Sequence, residues 1–482
     1  MGTLKIFLFA IFCSFFLQGT AQISFYKKYS AGPFNTGNGV TQLPDSSYAV
    51  TGSSGGFDED SGQAYLMIVD SLGNQKWTKD YGGFASDVGV RVMHVPSDGF
   101  YIAGFSNSTS GGDLDFVLYK TNETGELLWE KYYGGSNWER LYDAKLLSDG
   151  GLILVGETEG ETTVGKDIFM VRTDESGDTL WTKTIQTPVD DVAYAVDTLS
   201  DTTFVVGGDR GEFGIAKGMI NCFKNDGTEE WLEYYDQTTI TTVRDLFVTD
   251  DYIYASGGAY NSSIAGFDKW LLRTNKDGDF VNQAIEPYDG SSIFEVLAVK
   301  SDGNVYAGLE SAASDVNPYP GGNDVFVIKY YPGLYYNGYS QGFSGYDPDY
   351  INEMIATSDG GIAFVGTSSD KKQEPSIGTD VVLVKIGPND ETTTMANTGN
   401  DLVSLEEEKL KTIRIYPNPV IDYVNIPQKL LGGTYKIYDP SGRSIDKGQT
   451  TKEISMNDMR SGFYFIYLRK EGNMYKSKLV KQ

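Results

Sequence analysis

The chain has a single histidine, His94, among 482 residues. That excludes histidine-rich zinc sites and makes any histidine general base depend on one position. On the strand expected around residues 91–95, His94 reads as a structural side chain. There are two cysteines, Cys13 and Cys222. Cys13 falls in an N-terminal leader, so Cys222 stays alone, and no disulfide framework can form. Cys222 reads as a small buried hydrophobe. Stability must then come from a large apolar core, which a mature chain of about 460 residues can supply. Beyond the leader, no run approaches 18 apolar residues, so no membrane span is expected. Basic residues are short too: 39 Lys/Arg against 66 Asp/Glu, a net charge of −27. Such a chain repels phosphate backbones and anionic lipid, which argues against nucleic acid and direct membrane binding. No window of the first 390 or so residues sustains a 3.6-residue apolar period, so helices are excluded there. With them goes any glycine-rich phosphate loop opening a helix. A Gly-x-Ser-x-Gly nucleophile elbow is also missing.

What is present is a repeat. An aromatic opens each unit at Phe25, Trp77, Trp129, Trp181, Trp231, Phe280 and Tyr335, in steps of 52, 52, 52, 50, 49 and 55. A glycine closing a short apolar run keeps the same beat at Gly52, Gly104, Gly156, Gly208, Gly257, Gly308 and Gly366. Within the third unit, residues 141–148 (LYDAKLLS), 152–155 (LILV), 167–173 (DIFMVRT) and the segment opened by Trp181 read as four strands. Asp-Gly and Gly-Gly turns separate them. Four short strands per unit make one propeller blade. The expected class is therefore all-β, a seven-bladed β-propeller. Trp77, Trp129, Trp181 and Trp231 each stand four residues after a turn glycine, a place where a ring can wedge between blades. The last unit ends after three strands, so residues 24–29 (SFYKKY) should pair with residues 380–386 (DVVLVKI) and close the ring. Closure removes exposed sheet edges.

The ends differ. Residues 1–21 carry Lys5, an apolar run and Gly19-Thr20-Ala21, which reads as a signal peptide cleaved before Gln22. Residues 22–388 form the propeller, and residues 389–410 a polar linker. Residues 409–482 hold 14 Lys/Arg and 6 Asp/Glu; removing that +8 from the total leaves about −35 for residues 1–408. The inversion suggests separate jobs. Short strand-like runs at 413–416, 423–426, 434–438, 452–454, 463–468 and 475–480 fit a small immunoglobulin-like β-sandwich over residues 411–482.

Ile415-Tyr416-Pro417-Asn418-Pro419, the run Tyr435 to Asp439, Gly442-Arg443, Ser461-Gly462-Phe463-Tyr464 and the terminal Lys478-Leu479-Val480-Lys481 together resemble the type A C-terminal sorting domain of type IX secretion cargo. The resemblance implies a sandwich recognised by the type IX secretion machinery, and a passenger exported across the outer membrane and released or held at the cell surface. Ser148-Asp149-Gly150-Gly151, Val155-Gly156, Asp167 to Arg172 and Trp181 resemble the delta-60 or SBBP-type repeats of secreted bacterial propellers, which implies fold and compartment but no activity. The segments 121–129 (TNETGELLW) and 173–181 (TDESGDTLW) are similar to part of the tryptophan-docking motif of quinoprotein propellers. What they share with it is turn plus tryptophan, which reads as blade packing.

Ten residues after each opening aromatic stand Asp87, Glu139 and Asp191, with Asp245, Glu295, Asp349 and Glu353 in later units. Trp138, Tyr142, Tyr194, Phe294 and Tyr350 accompany them. Acidic and aromatic groups around a concave rim suit a sugar, a cation or a basic peptide; alternatively, an acid that opens an inner strand caps a neighbouring backbone N–H. The acidic turns 58–60, 174–178 and 275–279 invite calcium, without EF-hand spacing, and serve hairpins equally. No other cofactor is implied. The reading is a non-enzymatic glycan- or protein-binding module. A glycan-active enzyme using rim carboxylates and a quinoprotein-like oxidoreductase are the alternatives.

Overall fold

The computed structural model describes residues 24–392 and 411–482, apart from 31–33, 55–61, 84, 109–112, 160–164, 213–214, 236–239, 287–290, 312–323, 344–348, 370–378, 414, 439–443, 458 and 471–472. The signal segment 1–21 and most of the linker lie outside the described residues. The chain divides into two compact units, one of residues 1–340 and 344–398 and one of residues 399–482 with 341–343.

Among the described residues, the first unit holds seven four-stranded antiparallel sheets. Six are built from consecutive strands, the first from Asn35–Gln42, Tyr48–Ser54, Gln63–Val69 and Gln75–Tyr81. The inner strands of the next five are Asp87–Val95, Glu139–Leu146, Val192–Thr198, Thr241–Val248 and Phe294–Val299. The seventh sheet runs Asp349–Ala356, Ile362–Ser369, Thr379–Ile386, and takes its outer strand, Phe25–Tyr29, from the chain's beginning. Phe25 lies opposite Lys385 and Tyr29 opposite Val381. The two middle strands of each sheet are sealed on both faces, as in Gly99–Ser106 and Leu152–Glu159, while outer strands such as Thr179–Ile185 alternate toward solvent.

The apolar core is divided among the gaps between sheets. One cluster joins Ile153, Val155 and Met170 of the third sheet to Phe204, Val206 and Phe223 of the fourth. Another joins Val205, Ile220 and Cys222 to Val243, Ile253 and Trp270 of the fifth. The first sheet meets the seventh through Val50 and Met67 against Phe25, Val365 and Leu383. Consecutive sheets packed face to face around an axis, with a shared last sheet, are a β-propeller. Burial pushes the Cys222 thiol up to about 12, so it stays an inert thiol.

The repeating glycines have a steric cause. The strand beside each inner strand carries a glycine opposite a bulge, at Gly52, Gly104, Gly156, Gly208, Gly257 and Gly366. A Cβ on any of these would stand 1.8–2.0 Å from the carbonyl oxygen of the facing inner strand. Only glycine lets the two backbones come that close. The sixth sheet departs. There the bulge faces Leu309, and Gly308 is one residue out of step.

The opening aromatics clamp successive sheets. Carbon atoms placed on the turn glycines Gly73, Gly125, Gly177 and Gly278 would fall 2.5–2.9 Å from the rings of Phe25, Trp77, Trp129 and Trp231. Each aromatic therefore lies flat on the turn of the following sheet. Four residues on, Tyr29, Tyr81, Tyr133 and Tyr235 donate 2.7 Å hydrogen bonds to the carbonyls of those same glycines. In the fourth gap, Trp181 Nε1 donates to the Asn225 carbonyl and Lys183 Nζ to that of Gly227. Phe280 and Tyr335 are not members of this series. They are exposed, at 50% and 73%. Asn282 takes the wedge position of the fifth sheet, opposite Arg273, and donates to the Gly333 carbonyl. Aromatic type, without register, misplaced Phe280 by two residues.

The second unit has a five-stranded sheet, in spatial order Lys411–Thr412, Asn473–Lys481, Gly462–Lys470, Thr434–Tyr438 and Ser444–Gln449, and a two-stranded one of Tyr423–Asn425 and Glu453–Ser455. Val424 and Ile454 of the small sheet pack with Ile437, Ile466, Leu468 and Leu479 of the large one. Two expectations change. Ser444–Gln449 is a strand that reasoning from apolar alternation missed, because SIDKGQ is polar. An all-antiparallel sandwich is the simplest expectation for such short strands joined by turns, and the first short strand departs from it by pairing in parallel.

The wedge predicts a contrast. Gly177 has φ +77, and a methyl there would meet Trp129 Cη2 at 2.5 Å. Gly177→Ala should cost about 1–3 kcal/mol for the backbone alone, read as a lower urea midpoint. Gly135→Ala, with nothing within 4 Å of its new methyl, should be near neutral. Equal midpoints would refute the clamp.

Candidate functional site

The bulge leaves one residue of each inner strand unopposed. These are Asn38, Val90, Tyr142, Tyr194, Arg244, Glu295 and Asn352. A bulge re-aims a side chain, and here the seven have divided roles. Asn352 Nδ2 donates to the Gly37 carbonyl at 2.8 Å, and Asn38 Nδ2 to that of Gly89 at 2.9 Å. Val90 is apolar. Across the seventh, first and second sheets the bulge residue thus ties the ring or offers no polar group. The four contiguous sheets from third to sixth offer Tyr, Tyr, Arg and Glu instead, all half-buried.

Those four lie in one sector. Tyr142 and Tyr194 meet edge to face with centroids 5.0 Å apart. The Arg244 guanidinium lies 4.1 Å over the Tyr194 ring, and that of Arg140 sits 5.5 Å over Tyr142. Burial, then the Glu157 carboxylate, pushes the Tyr142 phenol up to about 12. Burial holds Glu295 above the usual carboxylate range, opposed by Arg244. Beside Arg244, burial pushes Asp209 up to about 6, although the Thr242 hydroxyl donates to it at 2.9 Å. Burial and then Glu295 push Glu310 up to about 8, while the Ile351 N–H donates to it at 3.3 Å.

The expected rim acids are elsewhere. Asp87 is fully buried and accepts from Gly83 N, Ser108 Oγ and Tyr119 OH at 2.8–3.0 Å. Glu139 accepts from Thr158 Oγ1 and Gly135 N, and Asp191 from Thr187 Oγ1 and Gly211 N. Each carboxylate fastens the loop that enters its own sheet, which is the capping role. Asp349, 5% exposed, stands at the start of the seventh inner strand, and Phe294 is fully buried. Trp138 and Tyr350 are exposed, at 45% and 38%. Of the rim residues, the structure brings together Tyr142, Tyr194 and Glu295. Arg140, Asp209, Arg244 and Glu310 were missed. The signal was an offset of thirteen, not ten, from Trp129, Trp181 and Trp231, the distance to the bulge.

One residue past the bulge, Arg91, Asp143, Asp245 and Glu353 occupy equivalent places. Arg91 Nε donates to Asp143 Oδ1 at 2.7 Å and lies 3.6 Å from Glu353. The carboxylates reach the next sheet's inner strand: Asp143 accepts from Val196 N, Asp197 from Val248 N, Asp245 from Leu297 N and Glu353 from Val40 N. With Asn38, Arg91 and Glu310, every gap between consecutive inner strands is bridged.

His94 packs on Phe100 at 4.8 Å with Nε2 3.0 Å from Glu123, a structural setting. The calcium turns are occupied by their own amides. Asp174 Oδ1 accepts from Ser176 N and Asp178 N, and Asn275 Oδ1 from Asp277 N and Asp279 N. Residues 58–60 lie outside the described residues. Among the described residues, no group of three His, Cys, Asp or Glu is placed to hold a metal, and no helix is long and apolar enough to cross a membrane.

In the second unit, Asn418 joins the last strand like a backbone group. Its Nδ2 donates to the Lys478 carbonyl at 2.7 Å, and its Oδ1 accepts from Val480 N at 2.9 Å. The flanking Tyr416–Pro417 and Asn418–Pro419 peptides are cis. The Lys478 ammonium stands 4.3 Å over Phe463, the residue after Gly462. Gly442 lies outside the described residues. Residues 414–482 match the family described as secretion system C-terminal sorting domain. The carboxyl-terminal unit is a sorting domain. It marks the chain for export through the type IX route to the cell surface or beyond. No curated protein matches the chain. Among solved structures the chain is similar to the WD40 domain of Neurospora crassa Pan2, at 12% identity and TM-score 0.45, over 74% of this chain and 91% of that one. It is also similar to the β-propeller domain of the Trilobed protease from Pyrococcus furiosus, at 11% and 0.43, over 75% and 96%.

The buried acids set a pH dependence. Unfolded carboxyls lose their protons near pH 4, whereas burial raises Asp245 and Glu353 to about 7 and Glu310 to about 8. Between those limits the folded state holds more protons, so stability falls as pH rises. The urea midpoint should be higher at pH 5 than at pH 8.5, and Glu353→Gln should narrow the gap. A midpoint that rises toward pH 8.5 would contradict this.

Proposed function

We propose that the chain is an exported seven-bladed propeller, residues 22–388, that binds glycan without altering it. A linker, 389–410, joins it to the sorting domain, 411–482, through which the type IX machinery delivers it. The observation that carries the binding reading is the sector of bulge residues: Tyr142, Tyr194, Arg244 and Glu295 stand half-buried on four successive sheets, where the other three sheets use the same position for ties or an apolar group. A pair of rings beside a pair of polar groups on a rigid wall suits the apolar faces and hydroxyls of a sugar.

A catalytic reading rests on Glu310, whose carboxyl is raised to about 8 beside Glu295. Separated pKa values are what acid/base pairs need. Glu310 is, however, engaged by the Ile351 N–H, which is a structural use.

Glycan-array binding by the purified chain tests the first reading, with Tyr194→Ala expected to weaken the best hit at least tenfold, about 1.4 kcal/mol, while the melting temperature holds. Reducing sugar released from that glycan, and abolished by Glu310→Gln, would establish the catalytic reading instead. Deleting residues 411–482 should leave the propeller in the periplasm; normal appearance of the truncated chain in the medium or on the surface would refute the delivery role.

A further inference from the structure

We propose that the ligand of the bulge sector is an acidic saccharide, whose carboxylates dock on Arg140 and Arg244. This rests on the glycan-binding reading above and names the ligand class for that site.

The two arginines bracket the tyrosine pair. The order Arg140, Tyr142, Tyr194, Arg244 runs across three successive sheets, with guanidinium-to-ring distances of 5.5 and 4.1 Å and the rings 5.0 Å apart. Neighbouring cations have carboxylate partners: Lys166 with Glu157 at 2.8 Å, Lys145 with Asp197 at 2.6 Å, and Arg210 with Glu229 at 3.5 Å. Among the described residues, Arg140 and Arg244 have no carboxylate within 4.0 Å. In a propeller with so many acids, two arginines that stack on rings without a salt bridge are out of keeping, although, against burial, Glu295 and Asp209 lie close enough to Arg244 to raise its pKa. Guanidinium groups keep their charge under all ordinary conditions. Arg244 Nε is also buried and donates to nothing. The guanidinium of Arg244 has its face on the Tyr194 ring and an Nε edge without an acceptor. That edge matches a carboxylate in shape and charge.

The nearby acids oppose an anion less than their number suggests. Asp209 and Glu310 hold protons well above the usual carboxylate range, and each accepts a hydrogen bond from the protein. A saccharide is favoured over an acidic peptide by Trp138. This ring is 45% exposed and stands two residues before Arg140, at the head of the same inner strand. A flat exposed indole is a platform for a sugar ring.

The test uses the full mature chain and four probes in titration calorimetry: oligogalacturonate, its fully methyl-esterified form, oligomannuronate and oligoglutamate. At least one of the two uronate oligomers should bind, tenfold or more tighter than the methyl ester and than oligoglutamate. Arg244→Gln and Arg140→Gln should each remove that preference, and Arg244→Lys should keep part of it. Arg140 is exposed, so its variant serves if Arg244→Gln fails to fold. Equal binding of acid and ester, tight binding of oligoglutamate, or full uronate binding by both glutamine variants would overturn the proposal. Neutral-sugar binding that is lost in Tyr194→Ala would leave the site reading standing while overturning this one. If no saccharide binds, acidic or neutral, the site reading fails with it.

Discussion

The propeller is organised by one close approach. In six of the seven sheets a carbonyl of the inner strand presses on the Cα of a glycine in the next strand, closer than any Cβ would allow. That approach accompanies a bulge, and the bulge leaves one residue per inner strand without a ladder partner. Where that residue is asparagine it bridges to the neighbouring sheet. Where it is tyrosine, arginine or glutamate it forms the candidate site. Ring cohesion and the candidate site thus use the same backbone irregularity, repeated.

The ring is held at three radii by different forces. Near the axis, side-chain hydrogen bonds bridge every gap, several of them made by carboxylates whose burial raises their pKa. Such groups are costly to bury and are kept in place by backbone N–H partners and by Arg91. At mid-radius, apolar clusters fill the gaps between sheets and supply most of the stabilisation. At the periphery, an aromatic lies on the next turn glycine while a tyrosine binds its carbonyl. Closure by Phe25–Tyr29 makes this circuit continuous and leaves no middle strand as an open edge.

The sorting domain solves a different problem. Its core is small, about a dozen buried side chains, and its N-terminal approach is fixed by Asn418, which imitates a strand residue against Lys478 and Val480. Its positive charge contrasts with the acidic propeller. That contrast, visible from composition, agrees with two units that have separate roles.

Much of the architecture was legible from spacing. The 52-residue period, the turn glycines and the unfinished last unit specify strands, their order and the N-terminal closure, because turn chemistry and alternation act locally. The sorting domain was legible from its motif for the same reason. Register was not. Phe280 and Gly308 matched their series by residue type but miss it by two positions and one, since a residue can recur in kind along the repeat while the ladder shifts beneath it. The rim acids Asp87, Glu139 and Asp191 looked like ligands and are fasteners. Arg244 and Arg140 went unseen, because what distinguishes them is stacking on rings from other strands. The sequence by itself determined which strands form and that they repeat. Which side chains meet was decided only when bulges set their direction and the closed ring brought successive sheets together.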